Sequence, residues 1–309
     1  MDPLSHVLTL LQPRAVSWRV VEAHNAWTLR FLPDSNVVVF GQMIEGECDV
    51  LRGDGRALHI GQGDFMLMAS PPPWEMRALG GGPPVELKAL LAEPGLLMTG
   101  GEAQTVTRFM AGHFKFAAVG AELVGKLMLP IIHVRADEVA AGRLGTLLAL
   151  LGDEATADRP GGPQIVKRLL EVLLVEALRH PDAGWEPARS GLLAGLADPK
   201  IGQALRLMHD DVGRGWSVGE LARSVGMSRS VFAERFAGVV GAPPMEYLAG
   251  WRMTLAKQAL MAGEAPMADI AEFAGYRSVS AFSTAFRRLT GSPPSRYGRS
   301  GALQAAEGA

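Results

Sequence analysis

The sequence predicts an α+β chain of two domains: an N-terminal β-barrel with a helical layer, then an all-α domain built from two helix-turn-helix units. Three observations predict it. From Ala15 to about Phe116 the chain runs in short stretches rich in β-branched, aromatic and alternating residues, separated by turn signals. From Gly120 to His180 the apolar period lengthens to three and four residues. From Trp216 to Tyr297 one pattern is stated twice.

Residues 1–12 read as a short helix or arm. The strand stretches then follow as VSWRVVE, AWTLRFL, NVVVFGQM, ECDVLR, ALHI, DFMLMA, WEMRAL and PVELKALL. RGDGR at Arg52 to Arg56 and GQGD at Gly61 to Asp64 are turns. Many short strands at even spacing predict a closed barrel or jelly roll. Cys48 is the only cysteine, so no intrachain disulfide forms, and its acidic neighbours Glu47 and Asp49 disfavour a thiolate. A buried structural thiol is the expectation.

In the helical stretch, AELVGKLM ends at Pro130 and DEVAAGRLGTLLALLGDE follows. PQIVKRLLEVLLVEALRH then places Ile165, Leu169, Leu170, Leu173, Leu174, Ala177 and Leu178 in a band too broad for one contact. Packing on the barrel accounts for part of the band, and either a second copy of the helix or the chain's own core accounts for the rest; the second copy is the favoured reading. A homodimer is therefore expected. Residues 181–197 (PDAGWEPARSGLLAGLA) read as the connection, and Asp198 with Pro199 opens the next helix as N-cap and first helical position.

In the repeat, Val218, Leu221, Ala222, Val225 and Gly226 are answered by Met267, Ile270, Ala271, Ala274 and Gly275. Phe232, Phe236, Gly241, Pro243 and Tyr247 are answered by Phe282, Phe286, Gly291, Pro293 and Tyr297. Each copy predicts a short helix, a glycine turn and a second helix that opens with serines. Between the copies, PPMEYLAGWRMTLAKQALMAG predicts a continuous helix that sets the separation of the two units. A second helix held by its inner phenylalanines points outward, as an element that enters a major groove must.

LARSVGMSRSVFAERF, the YLxxWRM segment, IAEFAGYRSVSAFSTAFRR and GSPPSRYG are, in that order, similar to the DNA-binding domain of AraC/XylS-type transcription regulators. The resemblance implies base reading by Ser230, Ala233 and Glu234 of the first unit, and the outward positions Val279, Ser280, Ser283 and Thr284 are the base-reading candidates of the second. Arg229, Arg277, Arg287 and Arg288 are placed for phosphates. Glu234 is an unusual groove residue: a carboxylate can accept from cytosine N4, or it can pair with Arg229 or Arg235 at the surface. The second unit carries short side chains and is expected to discriminate less.

The piece from Gly46 to Met76, with the proline run Pro71 to Pro73, resembles a cupin barrel, and DPKIGQAL and LLVEALRH resemble the cupin-bearing branch of the same regulators. Metal-binding cupins need paired histidines and a carboxylate. Here Cys48 and Asp49 stand without a His-x-His, Trp74 follows the prolines, and His24 and His59 are isolated. No metal and no cofactor are expected. Trp18, Trp27, Phe40, Phe65, Met66, Met68 and Trp74 supply aromatic and thioether surface, most of it core, and Trp18, Phe40, Met66, Met68 and Trp74 are the candidates for a ligand pocket.

The composition is that of a globular chain: 309 residues, 48% hydrophobic, 20% charged, formal net charge −2. Charge is unevenly spread. Residues 216–299 hold 10 Lys and Arg against 6 Asp and Glu, while residues 1–215 hold 20 against 25. A cationic module beside an acidic one suits phosphate binding. The first residues lack a signal-peptide pattern and no apolar run reaches a membrane span, so a cytoplasmic location without membrane contact is expected.

The reading is a non-enzymatic regulator with a cupin-like sensor barrel at 1–118, a helical dimerisation layer and linker at 119–190, an AraC-type domain at 191–299 and a flexible tail at 300–309. Its expected partners are double-stranded operator DNA, a second copy, a small-molecule effector and RNA polymerase. The rivals are a cupin enzyme with a DNA-binding appendage and a regulator whose barrel only dimerises.

Overall fold

In the computed structural model the described residues are 2–31, 37–52, 55–69, 74–78, 80–87, 89, 98–99, 106–116, 131–157, 159–180, 190–263 and 265–297. The proline run, the helix expected before Pro130, most of the connection 181–197 and the tail lie outside them. The described residues group into two compact units: 13–116 with 131–180, and 2–12 with 190–297.

The first unit holds β1 (Arg14–His24), β2 (Trp27–Phe31), β3 (Val37–Glu45), β4 (Cys48–Arg52), β5 (Ala57–Ile60), β6 (Phe65–Ala69), β7 (Trp74–Ala78), β8 (Pro84–Glu86), β9 (Met98–Thr99), β10 (Val106–Lys115) and β11 (Ile131–Val134). The expected closed barrel is corrected: the described strands pair as two sheets, ordered β11-β6-β3-β10-β1-β9 and β5-β4-β7-β2-β8. Two twisted sheets, each with one apolar face, can bury a common core without closing their ladders. That core takes Val21, Met43, Met66 and Phe109 from one sheet and Trp27, Leu29, Val50 and Trp74 from the other. Trp27 stacks on Phe109 at 5.4 Å. The arrangement is the cupin-like half of an α+β chain.

A second correction concerns β11, which lies inside the stretch read as helical. Ile131, Ile132 and Val134 are buried, and the strand pairs antiparallel with β6 from Ile131↔Met68 to Val134↔Phe65. Its four residues were too short a run for the period to show. Asp64 fastens it: one carboxylate oxygen is 2.8 Å from His133 Nε2 and the other accepts from Ala136 N at 2.8 Å.

Helices α2 (Ala136–Ala141), α3 (Arg143–Thr156) and α4 (Gly162–Leu178) follow. The broad band of α4 divides. Leu170 and Leu174 are 1% exposed and belong to the core of the chain itself, whereas Ile165 and Val172 are each 45% exposed. Half-buried Leu169 lies between these two on the same face. Cys48 is buried, and that burial, followed by the charges of Asp49 and Glu47, pushes its thiol well above the ordinary range. Such a thiol is structural.

The second unit is all helical: α1 (Pro3–Leu11), α5 (Leu192–Ala197), α6 (Pro199–Asp210), α7 (Val218–Ser224), α8 (Arg229–Val240), α9 (Pro244–Ala262), α10 (Met267–Phe273) and α11 (Val279–Thr290). The N-terminal helix is the surprise. Capped by Asp2, it buries Val7, Leu10 and Leu11 and packs with α5 and α6, although the sequence reading placed it with the barrel.

Around His209 of α6 this unit builds an aromatic core. Its ring lies parallel to Trp251 at 4.0 Å, and its Nε2 shares a 2.7 Å hydrogen bond with the Tyr247 hydroxyl. The His6 ring of α1 is 5.8 Å away.

The linking helix α9 joins the repeats through Arg252. Its Nε donates to Val212 O at 2.8 Å and Nη2 to Arg214 O at 2.7 Å, on the chain just before the first unit. The same guanidinium lies against the turn of the second, where a Cβ on Gly275 would fall 2.7 Å from Arg252 Cζ. The equivalent Gly226 has open space around it. Both take left-handed φ, +65° at Gly226 and +78° at Gly275.

The pair is a controlled experiment. Gly226→Ala should cost about 1 kcal/mol, the strain of a Cβ at positive φ. Gly275→Ala should cost about 3 kcal/mol, because the displaced Arg252 also loses charged hydrogen bonds. Equal costs in urea denaturation would show that Arg252 contributes little there.

Candidate nucleic-acid interface

Each unit builds its outward helix in the same way. Ser217 and Glu220 form a reciprocal capping box on α7. Ser228 caps α8 by accepting from Val231 N, and Ser278 caps α11 by accepting from Ala281 N. Phe232 meets Phe236 at 5.6 Å and 57°, and Phe282 meets Phe286 at 5.5 Å and 56°. Tyr247 and Tyr297 then close edge-on over Phe236 and Phe286, at 5.7 and 5.6 Å. All four phenylalanines are buried. Removing one should cost about 3–5 kcal/mol, so the inner faces are fixed and the outer faces are left free.

On α8, Arg229, Ser230 and Glu234 are exposed and Ala233 is half-buried. On α11, Val279, Ser280 and Thr284 are exposed and Ser283 is half-buried. The Thr284 hydroxyl donates to Ser280 O at 3.0 Å, which leaves its lone pairs outward. Arg277 precedes α11, and Arg287 and Arg288 occupy its last turn, all exposed. Among the described residues, neither Arg287 nor Arg288 meets a carboxylate within ion-pair distance.

Of the two arginines offered as partners for Glu234, Arg235 is committed elsewhere. Its Nη2 and Nε lie 2.6 and 2.9 Å from Asp198 Oδ2. Asp198 also caps α6, accepting from Lys200 N and Ile201 N at 3.0 Å, and these bonds hold its carboxyl below the ordinary range against the opposing effect of burial.

Two features escaped the sequence reading. Val231, 53% exposed beside Ser230, is an apolar side chain off the Phe232 and Phe236 stripe, and that offset was its signal. Arg252 carried no such signal, because its partners Val212 O and Arg214 O lie about forty residues away in sequence.

The residues named for a ligand are scattered. Met66, Met68 and Trp74 pack within the inter-sheet core. Phe40 is buried outside that cluster and meets Phe114 at 5.2 Å. Trp18 lines a cavity beside α4. Among the described residues no three His, Cys, Asp or Glu side chains are grouped to hold a metal. His59 is exposed, 3.2 Å from Asp49 and 3.6 Å from Glu47. No helix among the described residues is long and apolar enough to cross a membrane.

Paired helix-turn-helix units with exposed second helices, in one chain with a two-sheet domain, define a transcription regulator that binds DNA. Comparison with known proteins agrees with that class. The Cupin family matches residues 2–181 and the Helix-turn-helix domain family matches residues 221–300.

An AraC-like transcription regulator of Streptomyces lividans is 36% identical over 300 residues, 96% of this chain and 98% of that one. A namesake from Streptomyces antibioticus is 34% identical over the same shares. The regulator AlkR of Acinetobacter baylyi is 33% identical over 171 residues, 54% of this chain and 55% of its own. The chain belongs to the AraC-like transcription regulators with an N-terminal cupin domain.

Proposed function

We propose that the chain regulates transcription, without catalysing a reaction, as a cytoplasmic homodimer whose cupin-like unit senses a small molecule. The observation that carries this reading is the repeated phenylalanine clasp, which leaves an outward helix in each unit. In it α8 reads bases with Ser230, Ala233 and Glu234, and α11 with Val279, Ser280, Ser283 and Thr284. Arg229, Arg277, Arg287 and Arg288 hold phosphates, and RNA polymerase is a further partner of the bound dimer.

Selecting genomic fragments on the full chain should return one recurrent site that binds with strong salt dependence. Recovery of unrelated fragments in proportion to their length would sink sequence-specific reading.

Glu234 gives a sharper test, since Arg235 is engaged by Asp198. Glu234→Gln should relax discrimination at one base pair by about 1–3 kcal/mol and leave the other positions unchanged. A uniform gain in affinity on every sequence would instead mean that the carboxylate only repels phosphate.

The exposed Ile165 and Val172, with half-buried Leu169 between them on one face of α4, support the dimer. Ile165→Glu with Val172→Glu should give a folded monomer in sedimentation. A wild-type chain that is monomeric at micromolar concentration, with and without DNA, would end the dimer reading.

A further inference from the structure

Outside the inter-sheet core, the cupin-like unit contains a cavity of about 390 Å³ between β1, the end of α3 and the start of α4. That volume lies in the range of small-molecule sites. Trp18, Val166 and Leu170 supply apolar wall, while Glu154, Arg159 and Lys167 supply charge. Trp18 is an odd number of residues from Val21 and Ala23, so it leaves β1 on the face away from the inter-sheet core.

Glu154 is only 6% exposed, yet its carboxylate is half used. Oε2 accepts from Arg159 Nη1 at 3.2 Å, and Oε1 is buried without a hydrogen-bond partner. Arg159 is shared, because its Nη2 also donates to Asp153 at 3.0 Å. Gly162 borders the unused oxygen, and a Cβ there would come to 3.4 Å from it.

An unsatisfied buried carboxylate oxygen is expensive to keep. Beside a cavity that is only partly charged, it is an acceptor waiting for a donor that arrives with a ligand. We infer that this cavity binds a small apolar amine, its ammonium on Glu154 Oε1 and its hydrocarbon body against Trp18, Val166 and Leu170. An ammonium suits the site because it gives the carboxylate oxygen a charged donor. A ligand carboxylate would be repelled from the same oxygen.

The inference rests on the effector reading only for what occupancy does to DNA binding. Ligand-observed NMR on the full chain would compare 2-phenylethylamine, 2-phenylethanol and 3-phenylpropionate, with operator affinity measured separately in each case. The amine should bind saturably and most tightly of the three. Glu154→Gln should weaken it about tenfold or more. Ala155→Phe, filling the cavity from a half-exposed lining position, should abolish binding, and both variants should keep operator affinity, which shows that they fold.

No saturable amine binding up to about 10 mM, equal binding of the acid, or indifference to Glu154→Gln would overturn the site and leave the regulator reading standing. Amine binding that leaves operator affinity unchanged would support the site and sink the effector role alone.

Discussion

Acidification is expected to destabilise the helical unit through His209 by about 1.4 kcal/mol for each pH unit between 6.5 and 3. Burial, and then the neighbouring His6, lower the pKa of this imidazole to about 3 from an ordinary 6.5. The folded chain therefore binds the proton more weakly than the unfolded chain does. The stabilisation is complete above pH 6.5 and is lost as pH falls through the interval. The whole interval amounts to about 4–5 kcal/mol, a large share of a typical domain's stability. Denaturation of the wild type and of His209→Gln at several pH values would measure it, since the amide can still bond to Tyr247 and does not titrate in this range. Parallel pH profiles for the two proteins would place the acid sensitivity elsewhere.

Replacing Arg287 and Arg288 with alanine should weaken binding to all DNA sequences about equally. The plot of log affinity against log salt should become shallower by about 0.9 for each lost phosphate contact, close to two units for the pair. Both side chains are exposed in the last turn of α11, where the helix dipole favours cations and the described residues offer no competing carboxylate. Fluorescence anisotropy from about 50 to 200 mM salt would resolve the difference. An unchanged slope removes both arginines from the phosphate contacts.

What could be read from the sequence follows how local the physics is. The helical unit was legible because its clasp is written twice, and Phe232 and Phe282 occupy the same geometry. Most strands were legible through alternation, as in β7, where buried Trp74, Met76 and Ala78 alternate with the more exposed Glu75 and Arg77. Three features were not. Residues 131–134 form too short a run to carry a period against helical surroundings. The cavity takes its walls from β1, α3 and α4, so no local pattern contains it; of the apolar residues that stood out locally Trp18 lines it, while Met66, Met68 and Trp74 pack in the inter-sheet core. Arg252 looks like any charge on a helix until the carbonyls of Val212 and Arg214 are brought to it.

The docking of α1 on α5 and α6 also has a consequence for how the protein is made. The first dozen residues leave the ribosome long before the helices that receive them, which begin at Leu192 and Pro199. At about 5–20 residues per second, Val7, Leu10 and Leu11 wait tens of seconds for their partners while the sheets between them are synthesised. The helical unit thus draws on segments synthesised both before and after the sheets. A nascent chain stalled before residue 210 carries this apolar helix without the surface that receives it, the sort of segment that a chaperone near the exit tunnel would hold.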